Sequence, residues 1–409
     1  MKITVIGAGY VGLSTAIGFA TLGHNILCID IDLAKIQLLK QGIVPIGEKS
    51  MQNKLPDLMA KECIVFGTKI PRGHSADFIF LALPTPLGKN NTHDPSYLKD
   101  CLSELAKFSS FDNSVIVIKS TVLPGTTENL IEFARSKGIK SDFVYNPEFL
   151  REGMSLEDFL APERIVIGIE NNVVKMKMGE LFQSRQFNDA PVVFTGFRTA
   201  EISKCLSNAF LATKISFINE ASDLCEKVGA NINDVEQIMG LDSRIGSGAL
   251  HHGIGYGGSC LPKDTKSIIS LGKENDVDLS VIESADRSND KRSADIVAKI
   301  KSHFPDSINT TLTIWGLAFK SDSDDIRESV ALKIAMTLAT EGFILRPYDP
   351  KVTAKQCPEL TAQKNVCFAE SREVSLSESN ILIILNKSTG QHNAFDDQTS
   401  GLLILDFVN

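Results

Sequence analysis

The opening stretch, MKITVIGAGYVGLS followed by NILCID, constrains the fold more than any other. A short apolar run, KITVI, leads straight into Gly7, Gly9 and Gly12 at G-x-G-x-x-G spacing, then into a helical pattern, and the next apolar run ends on Asp30. Glycines so spaced allow a tight turn, close approach of an anion to main-chain N–H groups, and close packing of helix on strand. The opening N–H groups of a helix suit a pyrophosphate. An acid at the end of the second strand can accept hydrogen bonds from a ribose diol and would repel a 2′-phosphate. The stretch therefore predicts a βαβ unit that binds a dinucleotide, NAD rather than NADP.

The same grammar continues through CIVFG, DFIFLAL, SVIVIKS, DFVYN, RIVIG and PVVFTG, which predicts a doubly wound sheet. At Phe197 the pattern changes. No Gly or Pro follows until Gly229, and Ile202, Leu206, Ala209, Phe210, Phe217, Ala221, Leu224 and Val228 recur at helical spacing, so one long helix is expected. A further helical pattern runs from Thr265 to Lys301. Strand and helix then alternate again from Thr311, with a helix expected near Ser329 to Thr340. The expected division is 1–196, 197–302 and 303–409, in line with the size prior for 409 residues. The two α/β ends leave open a distant duplication.

Composition removes several function classes. A formal net charge of -8 offers no basic surface for nucleic acid or an anionic membrane. No apolar run reaches the length of a membrane span, and the first residues lack a signal-peptide pattern, so a cytoplasmic protein is expected. The eight cysteines show no CxxC pair or Cys/His ligand spacing, which predicts neither a disulfide framework nor a metal site. Most, like Cys28, read as core thiols.

One cysteine stands apart. GIGYGGSCLPKD, Gly253 to Asp264, places four glycines shortly before Cys260, and Pro262 suits the first turn of a helix. A thiol at a helix entrance beside Lys263 is favoured as thiolate, which describes a nucleophile as well as a plain loop-to-helix junction. Thr85 in LALPTPL and Thr121 in KSTVLPGTT end strands at the carboxyl edge, where open α/β sheets bind ligands. Glu148 and Glu152 in NPEFLREG share a face if that segment is helical. On the long helix, Lys204 and Asn208 are one turn apart and could stabilise an oxyanion, or simply form its polar side. Lys320 and Arg327 in KSDSDDIRES suit phosphate, and Arg244 in DSRIGS reads as exposed. His251 and His252 are adjacent, share no face and have no carboxylate at helpful spacing.

Taken in order, GAGYVG, PTP, KSTV, NPEFLREG, PERIVIG, the Lys204–Asn208 helix, DSRIG, GYGGSCLPKD and KSDSDDIRES resemble the UDP-glucose dehydrogenase family of nucleotide-sugar 6-dehydrogenases across essentially the whole chain. The resemblance implies an α/β protein with an N-terminal Rossmann-type domain for NAD, a long central helix forming a homodimer core, and a second, smaller Rossmann-like C-terminal domain for the nucleotide sugar. It implies oxidation of the C6 alcohol of UDP-glucose to a carboxylate with two NAD reduced. In that scheme Cys260 passes through a thiohemiacetal and a thioester, Lys204 and Asn208 stabilise the oxyanion, Asp264 and Thr121 serve water and proton transfer, and Glu148 is a further catalytic position in the substrate segment. Gly7, Gly9, Tyr10, Val11, Gly12, Asp30, Lys35, Thr85, Thr121, Glu152, Lys263 and Arg327 fall at cofactor positions. Glu148, Phe149, Leu150, Arg151, Glu152, Lys204, Asn208, Tyr256, Gly257 and Lys320 fall at substrate positions, with Arg244 reaching the neighbouring subunit's substrate.

The glycines are expected to let the sugar nucleotide lie against the backbone. The loop before Cys260 departs from the family pattern: LHHGIGYGGSC stands where members acting on UDP-glucose carry a sequence like NNPSFGYGGYC. Ile254 lacks the aromatic ring, and Ser259 stands where tyrosine is frequent, as in GDP-mannose dehydrogenases. A sister enzyme for GDP-mannose or a UDP-N-acetylhexosamine therefore stays open, as does an NAD-sensing protein without turnover.

Overall fold

The computed structural model describes residues 1–108, 111–183, 187, 189–321, 323–377, 379, 381–386 and 402–408. Two compact units divide it, Met1–Leu206 and Ser207–Asn409.

In the N-terminal unit the apolar runs form β1 (Lys2–Ile6), β2 (Asn25–Ile29), β3 (Ile64–Gly67), β4 (Phe78–Leu81), β5 (Val115–Ile118), β6 (Asp142–Tyr145), β7 (Ile165–Gly168) and β8 (Val192–Thr195). They make one sheet in the order β3-β2-β1-β4-β5-β6-β7-β8. Alternate side chains of a strand point to opposite faces, and the sequence uses both. Phe78, Phe80, Val115 and Val117 enter one apolar cluster with Phe19 and Phe159, while Ile79, Leu81, Ile116 and Ile118 enter another with Leu98 and Tyr145. That is why these strands read as unbroken apolar runs. The pairing is parallel from β3 through to β6, but β7 runs antiparallel to β6, with β8 parallel to β7. The reversal was not legible in the sequence. Tyr145 and Gly168, the last residues of β6 and β7, pair with each other, so the chain leaves β6 and enters β7 on the same side of the sheet, and residues 146–164 return it without a crossover.

The helix Phe197–Val228 runs unbroken for 32 residues, as its freedom from Gly and Pro permits. The helical pattern over Thr265–Lys301 is divided between two helices, Leu261–Glu274 and Ser280–His303. The break falls where Val277 N–H turns back to Gly272 O and Asp276 takes a left-handed φ of 56°.

The C-terminal unit carries β9 (Thr311–Trp315), β10 (Ile344–Tyr348), β11 (Ile381–Ile384) and β12 (Leu403–Asp406), all parallel, in the order β10-β9-β11-β12. This repeats the arrangement β2-β1-β4-β5. The correspondence reaches single bonds: Gly7 N–H donates to Ile29 O at 2.8 Å and Gly316 N–H to Tyr348 O at 3.0 Å, with φ of 101° and 88° at the two glycines. The helix expected near Ser329 to Thr340 is Val330–Thr340, capped by the Ser329 hydroxyl. Among the described residues no helix is long and apolar enough to cross a membrane.

Candidate active site

The glycine turn after β1 fits a dinucleotide. A Cβ on Gly7 would lie 2.2 Å from Ala82 O and one on Gly12 1.8 Å from Gly7 O, so these two are fixed by packing. Gly9 differs. It caps the helix Tyr10–Thr21 without a side-chain hydrogen bond, and a Cβ there would have nothing within 4 Å, which leaves the helix start, with Tyr10 and Val11, open to an anion. Asp30 accepts hydrogen bonds from Ala8 N–H at 2.7 Å and Asp32 N–H at 2.9 Å, and its carboxylate lies 3.0 Å from Lys35 Nζ. Partial burial pushes this carboxyl up, but those hydrogen bonds and Lys35 outweigh it and hold the group below its ordinary range. At the carboxyl edge of β4 and β5 the structure brings Thr85 and Thr121 together, the Thr85 hydroxyl donating to Thr121 O at 2.7 Å.

NPEFLREG is not a helix, so Glu148 and Glu152 do not share a helical face. It is an irregular segment, pinned at several points. Asn146 is held by Lys119, whose Nζ donates to its Oδ1 at 3.0 Å. Glu148 accepts Leu150 N–H at 2.6 Å and pairs with Lys204 Nζ at 3.0 Å, with the Lys204 side chain only 4% exposed. Phe149 has Lys204 5.2 Å from its ring centroid on one count and Arg164 3.8 Å on the other. Arg151 is exposed and binds Asp158 through two nitrogens, while Glu152 is half-buried. Glu48, buried, accepts Gly153 N–H, Ser155 N–H and the Ser155 hydroxyl, closing the segment. The sequence reading took Thr121 from KSTV and passed over Lys119. The available signal was a lysine ending a strand that is otherwise wholly apolar.

Within the C-terminal unit Cys260 is exposed and occupies the N-cap of the helix Leu261–Glu274, with Pro262 in its first turn. One turn on, Asp264 is buried and accepts Asn208 Nδ2–H at 2.6 Å on one oxygen and the Lys263 ammonium at 2.6 Å on the other. Ser259 Oγ lies 3.5 Å from the sulfur. The other cysteines divide as burial dictates: Cys28, Cys205, Cys225 and Cys357 are buried, and burial pushes the Cys28 thiol up to about 12.

The glycines before Cys260 have a packing role in the protein itself. At three of the four the space a side chain would take is filled by protein: a Cβ on Gly255 would lie 2.6 Å from Asn289 Oδ1, on Gly257 2.2 Å from Glu328 O, and on Gly258 2.6 Å from the Phe319 ring. Gly258 N–H also donates to Arg327 O at 3.1 Å. These glycines thus let the thiol loop seat against Phe319, Arg327 and Glu328 and against the helix Ser280–His303. That helix grips the loop further: Asn289 both accepts Tyr256 N–H and donates to Tyr256 O, Arg292 donates to Gly253 O, and the Tyr256 hydroxyl donates to Asp286 at 3.3 Å. Ile254 is buried in the apolar core of the C-terminal unit, so the ring missing there is a change of packing. Ser259 beside the sulfur is the departure that faces the chemistry.

Lys320 lies over the Phe319 ring, and Arg327 and Arg244 each fork onto an aspartate two residues before them, Asp325 and Asp242. The histidine reading needs correction. His251 Nδ1 and His252 Nδ1 both meet Glu236, at 3.1 and 2.6 Å, a carboxylate supplied by the helix Ile232–Leu241 and therefore invisible to local spacing. Among the described residues no group of three such side chains is arranged to hold a metal ion.

Comparison with known proteins gives the family. Residues 1–186 match the NAD binding domain of the UDP-glucose/GDP-mannose dehydrogenase family, 198–291 its central domain and 313–408 its UDP binding domain. The chain is 40% identical over 359 residues to a UDP-glucose 6-dehydrogenase of Rhizobium meliloti, covering 86% of this chain and 82% of that one. It is 38% identical over 389 residues to UDP-glucose 6-dehydrogenase YwqF of Bacillus subtilis, covering 94% and 87%. A UDP-glucose dehydrogenase structure from Pyrobaculum islandicum superposes with a TM-score of 0.90 at 29% identity, covering 100% of this chain and 94% of that one. With an open glycine turn, an acid after β2 and an exposed thiol at a helix start, all in family order, the chain belongs to the UDP-glucose/GDP-mannose dehydrogenase family.

Proposed function

We propose that the protein oxidises UDP-glucose at C6 to UDP-glucuronate in two steps, with Cys260 carrying the sugar between them. The observation that carries this is the exposed Cys260 at a helix N-cap, one turn from an Asp264 held by Asn208 and Lys263. The Gly7–Gly12 turn and Asp30 would hold NAD, and one NAD would supply the hydride acceptor for each of the two oxidations. Asp30 rejects a 2′-phosphate by like charge.

The chain's own groups do the rest. In the first step the C6 hydroxyl gives up a proton and a hydride to become the aldehyde, and Lys204 and Asn208 stabilise the negative charge on its oxygen. The Cys260 thiolate, favoured by the helix start, adds to the aldehyde carbon as a thiohemiacetal. Loss of a second hydride and of the hydroxyl proton leaves a thioester. Water, oriented by Asp264 and Thr121 with Glu148 assisting, adds to that carbonyl and the thiolate departs, giving the acid.

Arg327 and Lys320 take phosphate, and Lys35, Thr85, Glu152 and Lys263 serve the cofactor. Phe149, Leu150, Arg151, Tyr256 and Gly257 line the sugar nucleotide, and Arg244 reaches the substrate of a second copy. The division 1–196, 197–302 and 303–409 follows these tasks, in a cytoplasmic enzyme. A homodimer through the long helix is supported by Phe210, Phe217, Leu224 and Val228, which recur on one helical stripe at 66, 54, 64 and 68% exposure.

The test is NADH formation with UDP-glucose, UDP-N-acetylhexosamines and GDP-mannose. UDP-glucose should yield two NADH per sugar with little free aldehyde, and Cys260→Ala should make no acid while still binding NAD. Full acid production by that variant would remove the covalent route. A clear preference for another sugar would move the protein to a sister activity, with Ser259 as the first residue to exchange.

A further inference from the structure

Lys119 follows the last residue of β5 and is buried, an unusual place for a lysine because a charge there loses its water. Its Nζ donates to Asn146 Oδ1 at 3.0 Å and to Asn146 O at 3.3 Å. Asn146 is fixed in turn, its N–H donating to Ile118 O at 2.9 Å and its Nδ2–H to Val166 O at 2.8 Å. Two residues later comes Glu148, whose carboxylate holds Lys204 at 3.0 Å. Three elements thus meet around one buried patch: the end of β5, the segment after β6, and the long helix.

We propose that Lys119 is a positioning residue for the oxidation, tying residues 146–150 to the end of β5 and setting, through its charge, how firmly Glu148 holds Lys204. The proposal rests on the reading of Lys204 as the group that stabilises the oxyanion. The charged groups acting on Lys119 are Glu148, which favours its ammonium form, and Lys204, which opposes it; Asn146 is neutral. Burial is the largest influence and brings Lys119 down from 10.5 to about 8. When Lys119 is an ammonium, Glu148 answers to two cations and Lys204 is freer to turn to substrate. When Lys119 is an amine, Glu148 has Lys204 alone.

The experiment compares wild type with Lys119→Met, which keeps the length of the side chain without its charge, and Lys119→Arg, which keeps a charge at every pH used. With UDP-glucose, the wild-type kcat should fall through an ionisation near pH 8 that is missing from both variants. Lys119→Met should lower kcat about tenfold with KM for NAD little changed, and Lys119→Arg should recover part of the loss. A readout without turnover separates this from the functional reading. In protein labelled with ¹⁵N at lysine Nζ, the Lys204 resonance should move with a midpoint near pH 8 in wild type and stay still over that range in Lys119→Met. If wild type fails to oxidise UDP-glucose, the functional reading falls and the resonance still judges Lys119. A Lys204 resonance that ignores that pH range in wild type, or moves identically in Lys119→Met, overturns the proposal.

Discussion

Lys204 and Arg327 are both cations that the sequence offers to an oxyanion or a phosphate, and they are held in opposite ways. Arg327, with its side chain 58% exposed, keeps its guanidinium at the surface, where ion pairs contribute little, although the Asp325 it grips is only 8% exposed. Lys204 is buried with Glu148, and removing one partner of a buried pair costs about 3–5 kcal/mol because the other charge is stranded. Lys204→Met should therefore lower both melting temperature and turnover. The double variant Lys204→Met with Glu148→Gln should recover much of the melting temperature and none of the turnover; recovery of turnover would return Lys204 to a purely structural role. Lys119 makes a second prediction, on stability. Its folded pKa of about 8 lies below the ordinary 10.5, so between those values the unfolded chain binds a proton that the folded one does not, and stability rises with pH. The gain is at most about 3 kcal/mol. It is complete above pH 10.5 and lost as pH falls through 8. Denaturant unfolding across that window should show wild type gaining on Lys119→Met; parallel curves would contradict it. Asp30 was legible in the sequence because its setting, strand then turn then helix, is local. Lys119 was not, since its significance lies in burial and in a partner on another strand's loop.

At the scale of elements the glycines fall into two kinds that look alike in sequence. Gly9 has open space, so Gly9→Ala should leave thermal unfolding nearly unchanged while weakening NAD binding at least tenfold, measured by titrating NAD into the NAD-free protein. Gly258 has a φ of 84° and the Phe319 ring against it, so Gly258→Ala should cost at least about 1 kcal/mol from the backbone alone, before any overlap, and should lower turnover as well. Equal effects on stability at the two positions would refute the distinction. Strands and the long helix were readable because each is announced by a run of one period. The reversal at β7 and the break at residues 275–279 were not, because both depend on where the chain turns back, which periodicity does not record. The same holds for Glu236, which joins two histidines from a helix of its own.

For the whole molecule, assembly offers the most direct test. Phe210→Glu with Phe217→Glu should convert a dimer to a monomer in sedimentation, since each charge would have to be buried in the proposed interface; an unchanged sedimentation coefficient would place any interface elsewhere. The repeated strand order hides a difference between the two sheets. Asp30 is shared among Ala8, Asp32 and Lys35, whereas Asp349 is buried and accepts four main-chain N–H groups, from Leu317, Ala318, Lys351 and Val352. In the second sheet that acid serves as a brace for its own backbone. The seating of Gly257 on Glu328 O and Gly258 on Phe319 bears on anyone building chimeras between members of the family. Gly257 and Gly258 fit Phe319, Arg327 and Glu328 as key and lock. Transplanting the thiol loop alone would bring a key cut for another lock, so substrate preference should transfer between relatives only when the two segments are exchanged together.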